Sequence, residues 1–242
     1  MTIAKQVSVT VDQIPLGTIF TRADFAAAKK NPEAVTKTLN RMVTTGAIKK
    51  ISKGKFFKPE GSIFGELQPG RDQLIKDLLE KNGKITGYLT GTGVFNQMGL
   101  TTQISHTIEI GKNSIRPAFN RQGIRVQVIL QRNPITATNL HLLQLLDAIR
   151  YIKSIPDTRP GDTVVRIMAI LEKLSVMEFR AFVRLASNYS PATRALAGAM
   201  LDTIGFANMA ITLRNSLNPL SKFKFPGTSY VLRNGAEWNL IE

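Results

Sequence analysis

Residues 31–59 read NPEAVTKTLNRMVTTGAIKKISKGKFFKP, and the architecture of the first part of the chain turns on them. Asn31-Pro32-Glu33 is a helix start: an N-cap amide, a proline at the first helical position and an acid in the first turn. Val35, Leu39, Met42 and Val43 then fall at i, i+4, i+7 and i+8, which puts them on one face of a helix running to Thr45, with Gly46 beyond its end. The opposite side carries Glu33, Thr36, Lys37, Asn40, Arg41 and Thr44. Ala47–Ile51 and Lys55–Pro59, two extended runs around Ser52-Lys53-Gly54, predict a β-hairpin. Its lysines, Lys49, Lys50, Lys53, Lys55 and Lys58, have no acid between them.

Upstream, Ile14-Pro15-Leu16-Gly17 is a turn and Thr18-Ile19-Phe20 a short extended piece. Thr21 suits an N-cap for a helix to about Lys29, with Asp24 at N3 and Phe25 facing inward. Helix, turn, helix and basic hairpin together predict a winged helix-turn-helix over residues 1–68. Nine basic residues and one acid lie between 29 and 58, the densest basic segment of the chain. Asn and Arg on such a helix can pair with purine edges in the major groove. Hairpin lysines neutralise flanking phosphates and release counterions. Double-stranded DNA is the expected partner.

The whole composition fits that partner. The 242 residues hold 32 Lys and Arg against 17 Asp and Glu, a net charge of +15 that favours polyanions. With 43% apolar residues the chain is globular, long enough for one large or two modest domains. Zero cysteines exclude disulfides, thiol nucleophiles and thiolate metal sites, and fit a cytoplasmic chain. No apolar run is long enough for a spanning helix, and the N-terminal residues lack a secretory pattern, so no membrane partner is expected. With only His106 and His141 to offer imidazole, a zinc enzyme is excluded, and no metal or cofactor is expected.

The Pro- and Gly-rich stretch 59–70 marks a boundary, with an α+β domain following over 69–242. A helix is expected over 71–81, a strand at 85–90, a glycine turn at 91–93 and a short helix at 94–99. Strands are expected at 105–110, 115–119 and 124–130. Beyond Pro134 the chain reads as helical: 138–153, about 162–174, a helix capped by Ser175 and Glu178, another from Ser190-Pro191 to Gly205, and a last one ending at Asn218-Pro219. Tyr230–Leu232 reads as a terminal strand. The small face of Ala192, Ala195 and Ala199 would admit a close neighbour.

No enzyme signature survives inspection. The glycines at 87, 91 and 93 lack both the third glycine of a dinucleotide fingerprint and the Lys-Ser/Thr of a P-loop. Gly61-Ser62 is not followed by the Asp-x-Asp pair that metal-dependent nucleotidyl transfer needs. Neither histidine sits beside a nucleophile motif. A second candidate surface for nucleic acid or a partner comprises Lys112, Arg116, Arg121, Arg125 and Arg132, with Arg116 and Arg125 in strands. The Lys222-Phe223-Lys224-Phe225 alternation is compatible with RNA stacking.

The segments IPLGTIFTRADF, AVTKTLNRMVTTGAIKKISKGKFFKP and GYLTGTGVFNQMGLTTQISHTIEI resemble the AbiE-type antitoxin and transcriptional-regulator family, over roughly residues 10–130. The resemblance implies an N-terminal winged helix that binds the operon's promoter. It also implies a C-terminal domain that counteracts a co-encoded nucleotidyltransferase-like toxin, as in type IV toxin–antitoxin pairs of abortive infection. Two alternatives stand beside this reading: a protein-interaction platform with an accessory winged helix, and an RNA-binding protein using the C-terminal basic patches.

Overall fold

The computed structural model describes residues 1–63, 65–81 and 83–242. The chain is α+β, and it divides into two compact units, Met1–Asp77 and Leu78–Glu242.

The first unit begins with α1 (Ile3–Gln13), a stretch to which the sequence reading assigns no element. Thr2 caps it, its hydroxyl accepting from the Lys5 amide at 3.4 Å. Val7 and Val11, one turn apart, are its buried residues, with Ile3 packed beside the same core. That i, i+4, i+8 spacing is a helix signal. β1 (Ile19–Thr21) follows. The helix expected from Thr21 to Lys29 is instead two 3-10 turns, Arg22–Asp24 and Ala26–Lys29, separated by an extended Phe25. The Thr21 cap and Asp24 at N3 do form a capping box. Burying the Phe25 ring against Phe20, with centroids 5.8 Å apart, requires the break.

α2 (Pro32–Thr44) starts as its sequence predicts, with the Asn31 side chain accepting from the Ala34 amide at 3.0 Å. Val35 and Leu39 are fully buried beneath it. The hairpin is β2 (Lys49–Ser52) and β3 (Lys55–Phe57), and β1 pairs antiparallel with the other edge of β3, giving the order β1-β3-β2. Ile48, Phe20 and Phe56 close the core under this sheet.

Residues 59–70, expected as a boundary, hold a two-stranded hairpin, β4 (Glu60–Ser62) and β5 (Gly65–Leu67). The division falls farther on, within α3 (Arg71–Leu79), rather than at 68/69. Gln73 on α3 accepts from the Ile19 amide at 3.5 Å, tying the start of this helix to β1.

The second unit opens with β6 (Glu80–Lys81) and β7 (Lys84–Ile85), followed by β8 (Gly87–Thr90) and α4 (Thr92–Gln97). β9 (Thr107–Lys112), β10 (Phe119–Arg121) and β11 (Ile124–Leu130) complete a sheet of order β10-β11-β9-β8, parallel between β9 and β11 and antiparallel elsewhere. The strand expected at 115–119 is displaced to 119–121, leaving Ile115 exposed and Arg116 outside any strand. Gln122 and Gly123, both at positive φ, make the turn that sets this register.

The helical half is α5 (Leu140–Arg150), α6 (Pro160–Leu171), α7 (Val176–Ala186), α8 (Pro191–Thr203) and α9 (Ala207–Asn215). The Ser175–Glu178 capping box forms as read. Ser175, donating through its hydroxyl and its amide, holds the Glu178 carboxyl below its ordinary range. The core runs through Leu142, Leu146, Ile149, Ile167, Phe179, Phe182, Leu196 and Met200. The small face of α8 admits the Trp238 ring directly over Gly198, where any Cβ would collide with it. The terminal strand expected at 230–232 is a turn; the last strands are β12 (Phe223–Lys224) and β13 (Leu240–Ile241), paired parallel. Among the described residues, no helix is long and apolar enough to cross a membrane.

Candidate nucleic-acid interface

The face of α2 turned away from the core carries Glu33, Lys37, Asn40, Arg41 and Thr44. All five are exposed, and Thr36 beside them is half-buried. Two of the expected reading residues are occupied locally. The Thr36 hydroxyl donates to the Pro32 carbonyl at 2.9 Å, and the Thr44 hydroxyl donates to the Asn40 carbonyl at 3.2 Å. Helix threonines often back-bond in this way, which turns the hydroxyl hydrogen inward. Among the described residues, Lys37, Asn40 and Arg41 have neither an ion pair nor a side-chain hydrogen bond. They remain available to an incoming ligand.

Arg22, in the first 3-10 turn, lines one depression with Glu33, Thr36, Lys37 and Asn40. It adds a cation to this face that the sequence reading omits, because only the fold brings residue 22 beside residues 36–40. On the other flank, Ile3 and Ala4 of α1 line a second depression with Lys37, Asn40, Arg41 and Thr44.

The five hairpin lysines fare unequally. Lys50 and Lys53 are exposed, Lys53 at the turn itself. Lys49 is ion-paired to Glu66 of β5, and Lys55 to Asp77 of α3. Lys58 is half-buried and donates to the Asp12 carbonyl at 3.0 Å. The run that reads as five equivalent phosphate contacts therefore presents two unpaired ammonium groups and two neutralised ones. Both acids lie outside residues 29–58, so local charge counting could not find them.

In the second unit, the second candidate surface does not form one patch. Lys112 is half-buried and donates to the Leu78 carbonyl at 2.6 Å and to Thr86 Oγ1 at 3.4 Å, so it ties β9 to the end of α3. The Arg116 and Arg121 guanidiniums lie 3.9 and 5.5 Å from the Phe119 ring centroid, and Arg125 pairs in register with Asn120 on β10. Arg132 stands apart, in a cleft with Arg150. In the 222–225 alternation, Phe225 is buried and Phe223 packs against the core, so neither ring is displayed for base stacking.

The glycine turn 91–93 is electrostatically closed to phosphate. The Thr92 amide at the start of α4 donates to Glu109 Oε2 at 2.9 Å, so a carboxylate already fills the position a phosphate oxygen would take. His141 Nε2 lies 3.0 Å from Glu178 Oε1 on the surface, a pair with no nucleophile in it. Among the described residues, no group of three or more metal-ligating side chains converges.

Residues 6–116 match the model of a family described as a family of unknown function, DUF6088. Among solved structures, the chain is similar to the crystal structure of RV2827C protein from Mycobacterium tuberculosis, at a TM-score of 0.57 and 15% identity. The match covers 98% of this chain and 90% of that one. The likeness is one of fold. Comparison with curated proteins gives no match.

The second unit also holds a buried polar network for which the sequence carries little signal. Asp147 on α5 is fully buried. Its Oδ2 accepts from the Tyr88 hydroxyl at 2.6 Å and the Thr90 hydroxyl at 2.8 Å, and its Oδ1 from the Tyr189 hydroxyl at 2.9 Å. Burial pushes the Asp147 carboxyl above the usual range against the pull of these donors. Burial, with Asp147 close by, raises both phenols as well. Gln131 Nε2 donates to both phenol oxygens at 2.8 Å, locking β8, α5 and the α7–α8 turn together. The one sequence clue was an acid inside an otherwise apolar helix face, LHLLQLLDAIR.

Proposed function

We propose that the first unit is a winged helix-turn-helix that binds duplex DNA, and that the protein is a non-enzymatic, cytoplasmic transcriptional regulator of the AbiE antitoxin type. The order α1-β1, 3-10 turns, α2, β2-β3 supports this reading, with α2 as the helix that enters the major groove and the β2–β3 hairpin as the wing. The observation that carries it is the outer face of α2, where Lys37, Asn40 and Arg41 stand unpaired among the described residues, with Arg22 beside them. Side chains of these types read guanine and adenine edges bidentately. Lys50 and Lys53 on the wing supply phosphate contacts that hold the register.

In this reading the protein represses its own promoter, and the second unit counteracts a co-encoded nucleotidyltransferase-like toxin. Mobility shifts with DNA from upstream of its own gene, against a scrambled duplex, test the DNA half. The expected result is sequence preference in the native protein, lost on changing Lys37, Asn40 and Arg41 together to Ala while weak general binding persists. Unaltered preference in that variant overturns the assignment of α2. Co-purification of the full chain with the product of the adjacent reading frame tests the toxin half.

A further inference from the structure

We propose that the cleft at the end of β11, walled by Arg132 and Arg150 over a floor of Gln131 and Tyr189, is a binding site for a phosphate group, either inorganic phosphate or a terminal phosphomonoester. The cleft has a volume of about 150 Å³, and Asn188 and Ser190 complete its wall. Pockets for whole small molecules run to roughly 300–1,000 Å³, so this one suits a single oxyanion-sized group with the remainder of any ligand left outside.

Charge selects the ligand. No acid lines the cleft, and among the described residues neither Arg132 nor Arg150 forms an ion pair. Arg150 donates to the Leu130 carbonyl at 3.4 Å and lies 5.0 Å from the Tyr151 ring centroid, and its charge also pulls down on the buried Asp147 carboxyl. Two guanidiniums on one small cavity repel each other until an anion lies between them. A phosphate offers oxygens to both forks at once, whereas a carboxylate has only two oxygens, which one fork can saturate. α8 begins beside the cleft, with Ser190 as its cap, so the positive end of that helix adds to the field.

The floor is built rather than incidental. Gln131 is 4% exposed and Tyr189 9% exposed. Gln131 Oε1 accepts from the Asn133 amide at 2.8 Å and from Asn133 Nδ2 at 3.0 Å, while Asn188 Nδ2 donates to Asn133 Oδ1 at 2.8 Å. With Gln131 Nε2 held by the two phenols, every polar group of the floor has a fixed direction before a ligand arrives. Asp147 does not line the cleft; beneath the floor its two oxygens accept three hydroxyl hydrogens. The donors of Gln131 and Tyr189 are engaged within the protein, so the contacts to an anion come from the two guanidiniums on the wall.

The site lies wholly within the second unit and does not depend on the DNA-binding reading. Titration calorimetry of the full chain with inorganic phosphate, at constant ionic strength in chloride, tests it. One-site saturable binding is expected, weakened at least about tenfold by Arg132→Gln and by Arg150→Gln. Both side chains are exposed, so folding is expected to be preserved, and the exposed Lys173→Ala control should bind phosphate unchanged. Two short single strands that differ only in a 5′-phosphate or 5′-hydroxyl end separate the sources. A preference for the phosphorylated end that vanishes in Arg150→Gln marks a nucleic-acid terminus as the ligand. Equal binding of the two ends, with inorganic phosphate still bound, marks a free phosphate. Absence of saturable phosphate binding, binding that survives both arginine variants, or acetate binding as tightly as phosphate overturns the proposal.

Discussion

The Tyr189 hydroxyl donates to Asp147 Oδ1 at 2.9 Å, and that bond joins the α7–α8 turn to the middle of α5 through the interior of the second unit. Asp147→Ala would orphan three buried hydroxyls, those of Tyr88, Thr90 and Tyr189, at about 1–3 kcal/mol each. A destabilisation of at least about 3 kcal/mol is expected in urea unfolding. Asp147→Asn keeps the oxygen for Tyr88 and Thr90 and should cost far less. The pH dependence has a definite sign. Because the folded carboxyl sits above its unfolded value of about 3.9, the native state holds the proton more tightly. The contribution of Asp147 is therefore greatest below that unfolded value and declines as pH rises through the folded one. As pH rises above about 4, urea midpoints should fall more steeply for the native protein than for Asp147→Asn.

On the proposed DNA-binding reading, Glu66 competes with the duplex for Lys49. The pair is exposed and worth under about 1 kcal/mol, so Glu66→Ala should tighten general duplex binding by up to about fivefold. Lys50→Ala with Lys53→Ala should instead flatten the dependence of log K on log salt, by about 0.9 for each phosphate that is no longer neutralised. Fluorescence anisotropy across a salt series reads both effects.

Gly91 holds φ 76 and ψ −162, a region open essentially to glycine alone, and a Cβ there would run into the Glu109 side chain. Gly91→Ala is expected to cost about 1–3 kcal/mol for the backbone, plus the displacement of Glu109. Thermal unfolding measures the loss. A neutral result would show that the turn does not need the carboxylate seated under it.

Gly198→Ala should be equally costly by a different route. Trp238 lies across α8 at this position and donates through Nε1 to Asp202 Oδ2 at 3.0 Å, so the ring is pinned and cannot retreat from an added methyl. Overpacking of this kind costs about 1–3 kcal/mol. Loss of the native tryptophan emission maximum at lower denaturant would report it.

Much of the first unit was legible because its signals are local. Asn31, Pro32 and the 35-39-42-43 stripe define α2 without outside help, and Ser52-Lys53-Gly54 defines the hairpin. α1 was missed although Thr2, Val7 and Val11 carry the same kind of signal, in a stretch with no proline or glycine to announce it. The break at Phe25 was not legible, since it exists to bury a ring against Phe20. Likewise, the register of β10 follows from the positive φ of Gln122, a residue with no marked preference for that region.

The interface was half legible for the same reason. Periodicity identified which side of α2 faces outward, and composition made that side basic. Whether a lysine is available, however, depends on what stands opposite it, and Glu66 and Asp77 reach Lys49 and Lys55 only through folding. The Asp147 network and the Arg132–Arg150 cleft join residues up to about sixty positions apart, from 88 to 189 in all, and no window of sequence contains them. Helix starts, turns and net charge are properties of neighbouring residues and are written in the chain. Pairing, burial and cavities are relations between distant ones, created when apolar surface leaves water and carries the polar groups attached to it into contact.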